Sequence, residues 1–466
     1  MNSQAAAALA DAAPMVFWLD DKAAPEPEPP LSGAQSADLA VVGGGYTGLW
    51  TALRAKDRHP ELDVVLLEAD TCGAAASGRN GGFCDASLTH GFANGLARWP
   101  EELPTLDRLG RENLAAIGET IGRLGIDCGW ERTGELTVAT APHHLDELAE
   151  EATRLRDFGH EATLLDRPAV QAELNSPTYL GALADTTSTA LVEPARLAWG
   201  LRRACLDTGV RIYEHTRVTA VRRDGQARSL LTATGSVRAD RVALGTNAFP
   251  SLLRRLRLYT VPVYDLVLVT EPLSAGQLEA IGWRNRQGVG DASNLFHYYR
   301  LTRDNRILWG GYTPLYYFGS RIDPALEQRD AIHGMLAEHF FQTFPQLDGI
   351  RFTHRWGGVI DTSTRFCAFF GTASDGKLGY ALGYTGLGVG ATRFGAEVML
   401  DLLYGEDSER TRLRMVRERP LPFPPEPLRS AGIHLTRWSM ARADAHGGHR
   451  NPWLRTLDRL GLGFDF

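Results

Sequence analysis

The sequence predicts a mixed α/β protein in which a parallel-sheet domain is interleaved with a separate antiparallel layer. Three observations carry this. First, an apolar run from Leu39 to Val42 breaks into Gly43-Gly44-Gly45-Tyr46-Thr47-Gly48, a helix-like segment runs to about Arg58, and a second apolar run, Val64 to Leu67, ends in Glu68. Second, from Val192 onward the pattern again alternates helix and strand. Third, the stretch 258 to 350 is strand-rich and aromatic, with one long helical segment, EQRDAIHGMLAEHFFQTFP.

Strand, glycine turn, helix, strand and acid, in that order, are the pattern of a Rossmann-type dinucleotide-binding unit. Gly43 permits the tight turn, and Gly45 lacks the Cβ that would strike a pyrophosphate. Gly48 lets the helix lie close on the sheet. The helix N-terminus, with Tyr46 and Thr47 in its first turn, then aims N–H groups at the phosphates. Glu68, followed by Ala69, stands twenty residues beyond Gly48. Its carboxylate suits the adenosine ribose hydroxyls and repels a 2′-phosphate.

Composition excludes several function classes. A chain of 466 residues holds two or three bodies with cores of their own. A net charge of -7 and the lack of a long basic run argue against a nucleic-acid partner. Lysine occurs only at Lys22, Lys56 and Lys377. Five cysteines without a CxxC spacing suit a reduced, cytoplasmic protein with no zinc site, and no metal is expected. No apolar run reaches the roughly 20 residues of a membrane helix. The start, MNSQAAAALADAAP, lacks a basic leader and is not read as a signal peptide.

In chain order, 1–37 holds an alanine run, Phe17-Trp18 and PEPEPP, and reads as an extended arm. Residues 38–90 form the first part of the dinucleotide domain. In 91–190, a first part of the substrate layer, GWERTGELTVAT reads as two strands about a turn at Thr133-Gly134, and LDELAEEATRLRDFG as an exposed helix. Residues 191–257 return to the dinucleotide domain. There VEPARLAWGLRRACLDTG is a helix with Pro194 early and Gly209 past its end, and three further strands complete the sheet. Residues 258–350 are the second part of the substrate layer, with a hairpin turn near Asp304-Asn305. Residues 351–405 close the dinucleotide domain through Gly386-Leu387-Gly388-Val389 and a helix. The tail, 406–466, is arginine-rich and expected to wrap that domain.

Behind the opening unit stands Ser77-Gly78-Arg79-Asn80-Gly81-Gly82, a loop offering backbone N–H groups, a cation and an amide. With this loop the sequence resembles the D-amino acid oxidase-like FAD-dependent oxidoreductases. The likeness is nearest the amine-oxidising gamma-glutamylputrescine oxidoreductase branch, with glycine and sarcosine oxidases further off. The resemblance spans roughly 38 to 405 and implies FAD as cofactor, with Arg79 to Gly82 along the ribityl chain and isoalloxazine. It places Val218 against the adenine, the Gly245-Thr246 turn over the dinucleotide, and the helix after Gly386 at the flavin pyrimidine, where its dipole stabilises negative charge. It also makes the antiparallel layer a roof over the flavin. Tyr264, Tyr298, Trp309, Tyr312 and Trp356 then become pocket candidates able to hold a cationic amine, while Arg300 is a candidate partner for a substrate carboxylate. Core packing explains each aromatic residue equally well.

The resemblance further implies hydride transfer from a small amine or amino acid to flavin N5. The imine formed hydrolyses to a carbonyl product, and oxygen or another acceptor takes the electrons. No compelling acid–base pair stands out; His297 is the nearest candidate and suits a structural role better. Two departures are informative. Where the sarcosine oxidase branch carries a lysine beside the flavin this chain has Trp309, which leaves oxidase against dehydrogenase open. Where that branch anchors FAD through cysteine it has Trp356-Gly357-Gly358, so non-covalent FAD is expected. A catalytically silent flavin-binding subunit, or a dehydrogenase of a non-amine substrate, is the alternative.

Overall fold

A computed structural model describes residues 1–463. Two eight-stranded sheets and one two-stranded sheet organise the chain. The nucleotide sheet runs in the order Phe369–Ala373, Leu378–Leu382, Gly235–Leu244, Gly33–Val42, Val64–Leu67, Arg211–Tyr213. Its pairings are parallel except that of Phe369–Ala373 with Leu378–Leu382, and Ala227–Leu231 and Ala220–Asp224 extend it as an antiparallel flap. Its strands are apolar on both faces because helices Tyr46–Arg58, Pro194–Asp207 and Gly388–Tyr404 cover one of them. Val218 lies in the cluster on the other face, with Val42, Leu67 and Leu244.

The roof sheet runs Phe352–Ser363, Thr260–Thr270, Ile307–Gly311, His297–Leu301, Gly288–Asp291, Glu135–Ala139, Gly181–Asp185, Ala162–Leu165. All its pairings are antiparallel except Gly288–Asp291 with Glu135–Ala139. Helix Asp330–Thr343 covers its outer face, where Leu136, Val138, Tyr264, Leu266, Tyr299 and Trp309 are buried with Phe340 and Phe344. Period-two alternation therefore turns Glu135, Thr137, Asp265, Val267, Tyr298 and Arg300 to the inner face.

Four sequence expectations are revised. Residues 1–37 are not simply extended: Ser3–Leu9 is helical, with Ala5 and Ala8 buried in the roof cluster, and Phe17–Leu19 forms a 3-10 turn with Trp18 5% exposed. The nucleotide strand starts at Gly33, inside the supposed arm. Residues 352–363 belong to the roof, paired along Thr260–Thr270, so the boundary at 350 falls too early. The tail reaches both domains. Met415 and Val416 pack in the nucleotide-domain core, whereas Met440, Ala443 and Leu454 pack on Leu295 of the roof. Among the described residues no helix is long and apolar enough to cross a membrane.

Candidate active site

The glycine turn is built by backbone contact. A Cβ on Gly43, whose φ is +107°, would lie 2.4 Å from the Gly245 carbonyl oxygen, and one on Gly48 would lie 1.8 Å from the Gly43 oxygen. Strand, turn and helix thus meet with no room for side chains, and Thr47 closes on Gly245. A Cβ on Gly45 would meet nothing nearer than the Ser77 hydroxyl at 2.9 Å, and that hydroxyl accepts the Tyr46 N–H at 2.9 Å. The Tyr46 ring is buried and its hydroxyl donates to the Pro194 carbonyl over 2.8 Å, so the side chain is not available to a phosphate.

Glu68 ends the second strand. Its Oε2 accepts from Gly44 N–H at 2.5 Å and its Oε1 from Asp70 N–H at 2.8 Å. Burial raises its pKa, and the backbone donors offset only part of that. Backbone N–H groups at the turn could donate to the phosphates of a dinucleotide, and the carboxylate at the strand end could accept from its ribose hydroxyls.

The loop from Ser77 to Gly82 is braced on all sides. Asn80 Nδ2 donates to the Ala76 and Ser77 carbonyls, and its Oδ1 accepts from Gly82 N–H at 2.8 Å. Arg79 donates from Nε to the Ala74 carbonyl at 2.7 Å and pairs with Glu327. Gly78 is packed against the Gly73 carbonyl and Leu19. Two indoles hold the loop from the roof side, Trp356 Nε1 donating to the Arg79 carbonyl and Trp18 Nε1 to the Asn80 carbonyl, each at 2.9 Å.

At the second glycine turn, Gly386 has φ +96° and Leu387 is the N-cap of helix Gly388–Tyr404, whose first turn carries Gly388 and Val389. Asp361 fixes the approach, accepting from Gly383 and Tyr384 N–H, and burial pushes its pKa up to about 7. A Cβ on Gly390 would lie 2.1 Å from the Asp85 carbonyl oxygen, so this helix start abuts the strand leaving the Gly81-Gly82 loop. Asp361 is invisible in sequence, one acid within a strand.

The pocket candidates divide. Tyr298 faces inward: Cβ atoms built on Gly81 and Gly310 would lie 2.6 and 2.5 Å from its ring, and its hydroxyl donates to Asp265 at 2.5 Å. Burial pushes the Asp265 carboxyl up to about 6. Trp356 also faces inward but is 1% exposed and is used up in holding the loop from the roof side. Tyr264 and Trp309 lie on the outer face. Trp309 stacks between His297 and Tyr299 at 4.6 and 4.5 Å under the covering helix, and Tyr264 is wholly buried there. Tyr312 stacks on His297 on that same side.

Arg300 is not an available carboxylate anchor. It is 1% exposed, and its Nη1 donates to the Val192 carbonyl at 2.6 Å and the Gly82 carbonyl at 3.3 Å. Burial lowers its pKa to about 10. Its guanidinium lies 5.8 Å from the Trp18 ring centroid. His297, also on the outer face, is held neutral by burial and by His339, its pKa lowered to about 3.

Three residues on the inner side escaped the sequence reading. The Thr189 hydroxyl lies 2.6 Å from Asp85 Oδ1 and 3.2 Å from Glu135 Oε2. Burial pushes Asp85 up to about 6, and burial with the Asp85 charge pushes Glu135 up to about 8. Nothing in the sequence joins these positions, which come from three separate strands.

Comparisons with known proteins agree with this geometry. The chain matches the family described as "DAO: FAD dependent oxidoreductase" over residues 38–402. It is 34% identical over 392 residues to gamma-glutamylputrescine oxidoreductase of Escherichia coli (strain K12), covering 82% of this chain and 86% of that one. It is 29% identical over 391 residues to the probable oxidoreductase OrdL of Haemophilus influenzae, covering 81% and 85%. Its fold is that of glycine oxidase from Geobacillus kaustophilus, with TM-score 0.69 at 21% identity, covering 82% of this chain and 99% of that one. Cradle, braced loop and family match together place this chain among the FAD-dependent oxidoreductases, with FAD as its cofactor.

Proposed function

We propose that the protein oxidises the C–N bond of a small amine to an imine, which hydrolyses to a carbonyl product. The observation that carries this reading is the inner roof face with its Tyr298 and the carboxyls of Asp265 and Glu135, faced by Asp85 from the strand that follows the braced loop, while Arg300 is bound to backbone. The amine-oxidising name of the 34% identical relative supports it. When bound, the flavin supplies the two-electron acceptor for a hydride leaving the substrate α-carbon.

The chain's own residues position the reactants. The turn at Gly43 to Gly48 and Glu68 hold the dinucleotide end, and the Ser77 to Gly82 loop and the helix start at Gly388 hold the flavin end, without a covalent link. Tyr298 offers an aromatic face to a cation, and Asp265 fixes its ring. The roof and the Trp18 arm exclude water, which keeps the imine from hydrolysing before release. With no lysine between Lys56 and Lys377, none from that stretch reaches the inner face to activate oxygen.

The test is anaerobic mixing of holoprotein with n-butylamine, 1,4-diaminobutane and glycine, followed by flavin absorbance. Bleaching by an amine is expected, and its reversal or persistence in air separates oxidase from dehydrogenase. A flavin that stays oxidised with all three overturns the reading.

A further inference from the structure

Between the inner roof face and the strand Phe83–Asp85 stand two carboxyls joined by one hydroxyl, a pair that the sequence did not announce. Glu135 is the first residue of its strand, and its neighbour Leu136 is buried in the outer core, so Glu135 turns inward. Glycines make room along this face. A Cβ on Gly288 would lie 2.3 Å from the Phe83 ring, one on Gly290 3.3 Å from Glu135 Oε1, and one on Gly310 2.5 Å from the Tyr298 ring. Gly290 is the cross-strand partner of Tyr298, so Glu135 and Tyr298 share one surface. Asp85 arrives from the other side, three residues after Gly82, with its carbonyl against the first turn of helix Gly388–Tyr404. Phe83, Asp85, Glu135, Thr137 and Tyr298 all keep some exposed surface, as the lining of an open space does.

The oxygen contacts leave a place for one shared proton. The Thr189 hydroxyl contacts Asp85 Oδ1 at 2.6 Å and Glu135 Oε2 at 3.2 Å, yet it owns one hydrogen. If it donates fully to Asp85, a second full hydrogen bond to Glu135 needs a proton on Glu135; otherwise its one hydrogen is split between two carboxylates. The raised values of both carboxyls agree with one proton held at neutral pH. The charged groups facing the pair are Asp185, which raises both, and beyond it His160, which is paired with Asp107 and Asp185.

We propose that Asp85 and Glu135, joined through Thr189, are the proton acceptor that converts the bound substrate ammonium into the free amine, and that this acidic wall selects a cationic amine over a zwitterionic amino acid. The proposal rests on the amine-oxidising reading above. In the step, an N–H bond of the ammonium breaks and an O–H bond forms on a carboxylate oxygen of the pair. The nitrogen keeps the electron pair that must be free before the α-hydrogen can leave as hydride. A carboxyl raised above its usual range is the better acceptor, because its affinity for the proton is closer to that of the ammonium. A zwitterion would bring its carboxylate against Asp85, Glu135 and Asp265 with Arg300 unable to answer it.

The experiment is rapid anaerobic reduction of the holoprotein by n-butylamine across pH 5 to 10, with glycine as the zwitterionic probe, for wild type, Asp85→Asn and Glu135→Gln. The wild-type rate should rise with pH in two steps, near the values of the pair, and exceed that with glycine. Each variant should lose about 100-fold in rate and show a single step, since one carboxyl remains. Independently of turnover, the infrared spectrum at neutral pH should contain a protonated-carboxyl band that Glu135→Gln removes. Near-wild-type rates with both steps intact in the variants, or glycine as the faster substrate, overturn the proposal while leaving the amine reading standing. No reduction by either probe overturns that reading and the proposal with it.

Discussion

The indole of Trp18 donates to the carbonyl of Asn80 over 2.9 Å, so a residue outside the family-matched span holds the loop proposed to line the flavin. The bond is seated by packing. Trp18 is 5% exposed, clustered with Val267, Leu308 and Trp356, with the Arg300 guanidinium 5.8 Å from its ring centroid. Trp18→Ala should therefore destabilise the fold by about 3 to 5 kcal/mol. Trp18→Phe keeps most of the packing and loses the bond. It should weaken FAD binding with little change in melting temperature, as read by flavin titration of the apoprotein. Unchanged affinity in Trp18→Phe would show that the arm only packs.

The glycines of the first turn do two different jobs, and substitution separates them. Gly48 is where helix and strand backbones touch, since a Cβ would sit 1.8 Å from the Gly43 oxygen. Gly48→Ala should lower the melting temperature of the apoprotein itself. Gly45 meets only a serine hydroxyl at 2.9 Å. Gly45→Ala should leave a folded apoprotein of near-normal melting temperature that purifies with little flavin. A yellow, fully loaded Gly45→Ala protein would remove Gly45 from the pyrophosphate site.

This contrast explains what the sequence made legible. A dinucleotide imposes its needs on consecutive residues, so Gly43 to Gly48 and Glu68 declare themselves locally. The roof does not. In HYYRL, aromatic residues point to both faces because both faces are covered, so alternation alone could not assign Tyr298 to the inner face and His297 and Tyr299 to the outer one. The alanine run at the start looked like low complexity. Alanine is also the strongest helix former, and small enough here for close approach to helix Asp330–Thr343. Asp85, Glu135 and Thr189 become one unit only through strand pairing across the chain, which no local pattern encodes.

Arg300 offers a test of burial against recognition. Its Nη1 donates to both the Val192 and Gly82 carbonyls and its Nε to the Leu301 carbonyl at 3.2 Å, and a Cβ on Gly82 would lie 2.6 Å from its Nη1. Arg300→Lys keeps a cation but has one nitrogen where Arg300 uses two, so the Leu301 carbonyl loses its donor and about 1 to 3 kcal/mol of stability should be lost on denaturation. The preference between n-butylamine and glycine, measured by flavin reduction, should not change. A selective loss of glycine turnover would restore Arg300 as a substrate anchor.

His160 sets how stability depends on pH. Its side chain is 2% exposed, with Nε2 2.8 Å from Asp107 Oδ1 and Nδ1 3.7 Å from Asp185 Oδ2. Hydrogen bonds to Asp107 and then Asp185 outweigh burial and raise its pKa from 6.5 to about 9. Because the folded value lies above the unfolded one, the imidazolium's contribution is complete below pH 6.5 and disappears as pH rises through about 9. Such a shift corresponds to up to about 3 kcal/mol. Reciprocally, Asp185 is held down at about 2 by His160, Ser188 and Thr187, so its share of the pair is lost only in strong acid. The apoprotein should accordingly lose stability in denaturant titrations between neutral pH and pH 9.5. His160→Gln should be less stable at pH 6 and flatter over the same window. A wild-type curve as flat as that of His160→Gln would mean that the histidine is neutral in the fold, with Asp107 and Asp185 held by other donors.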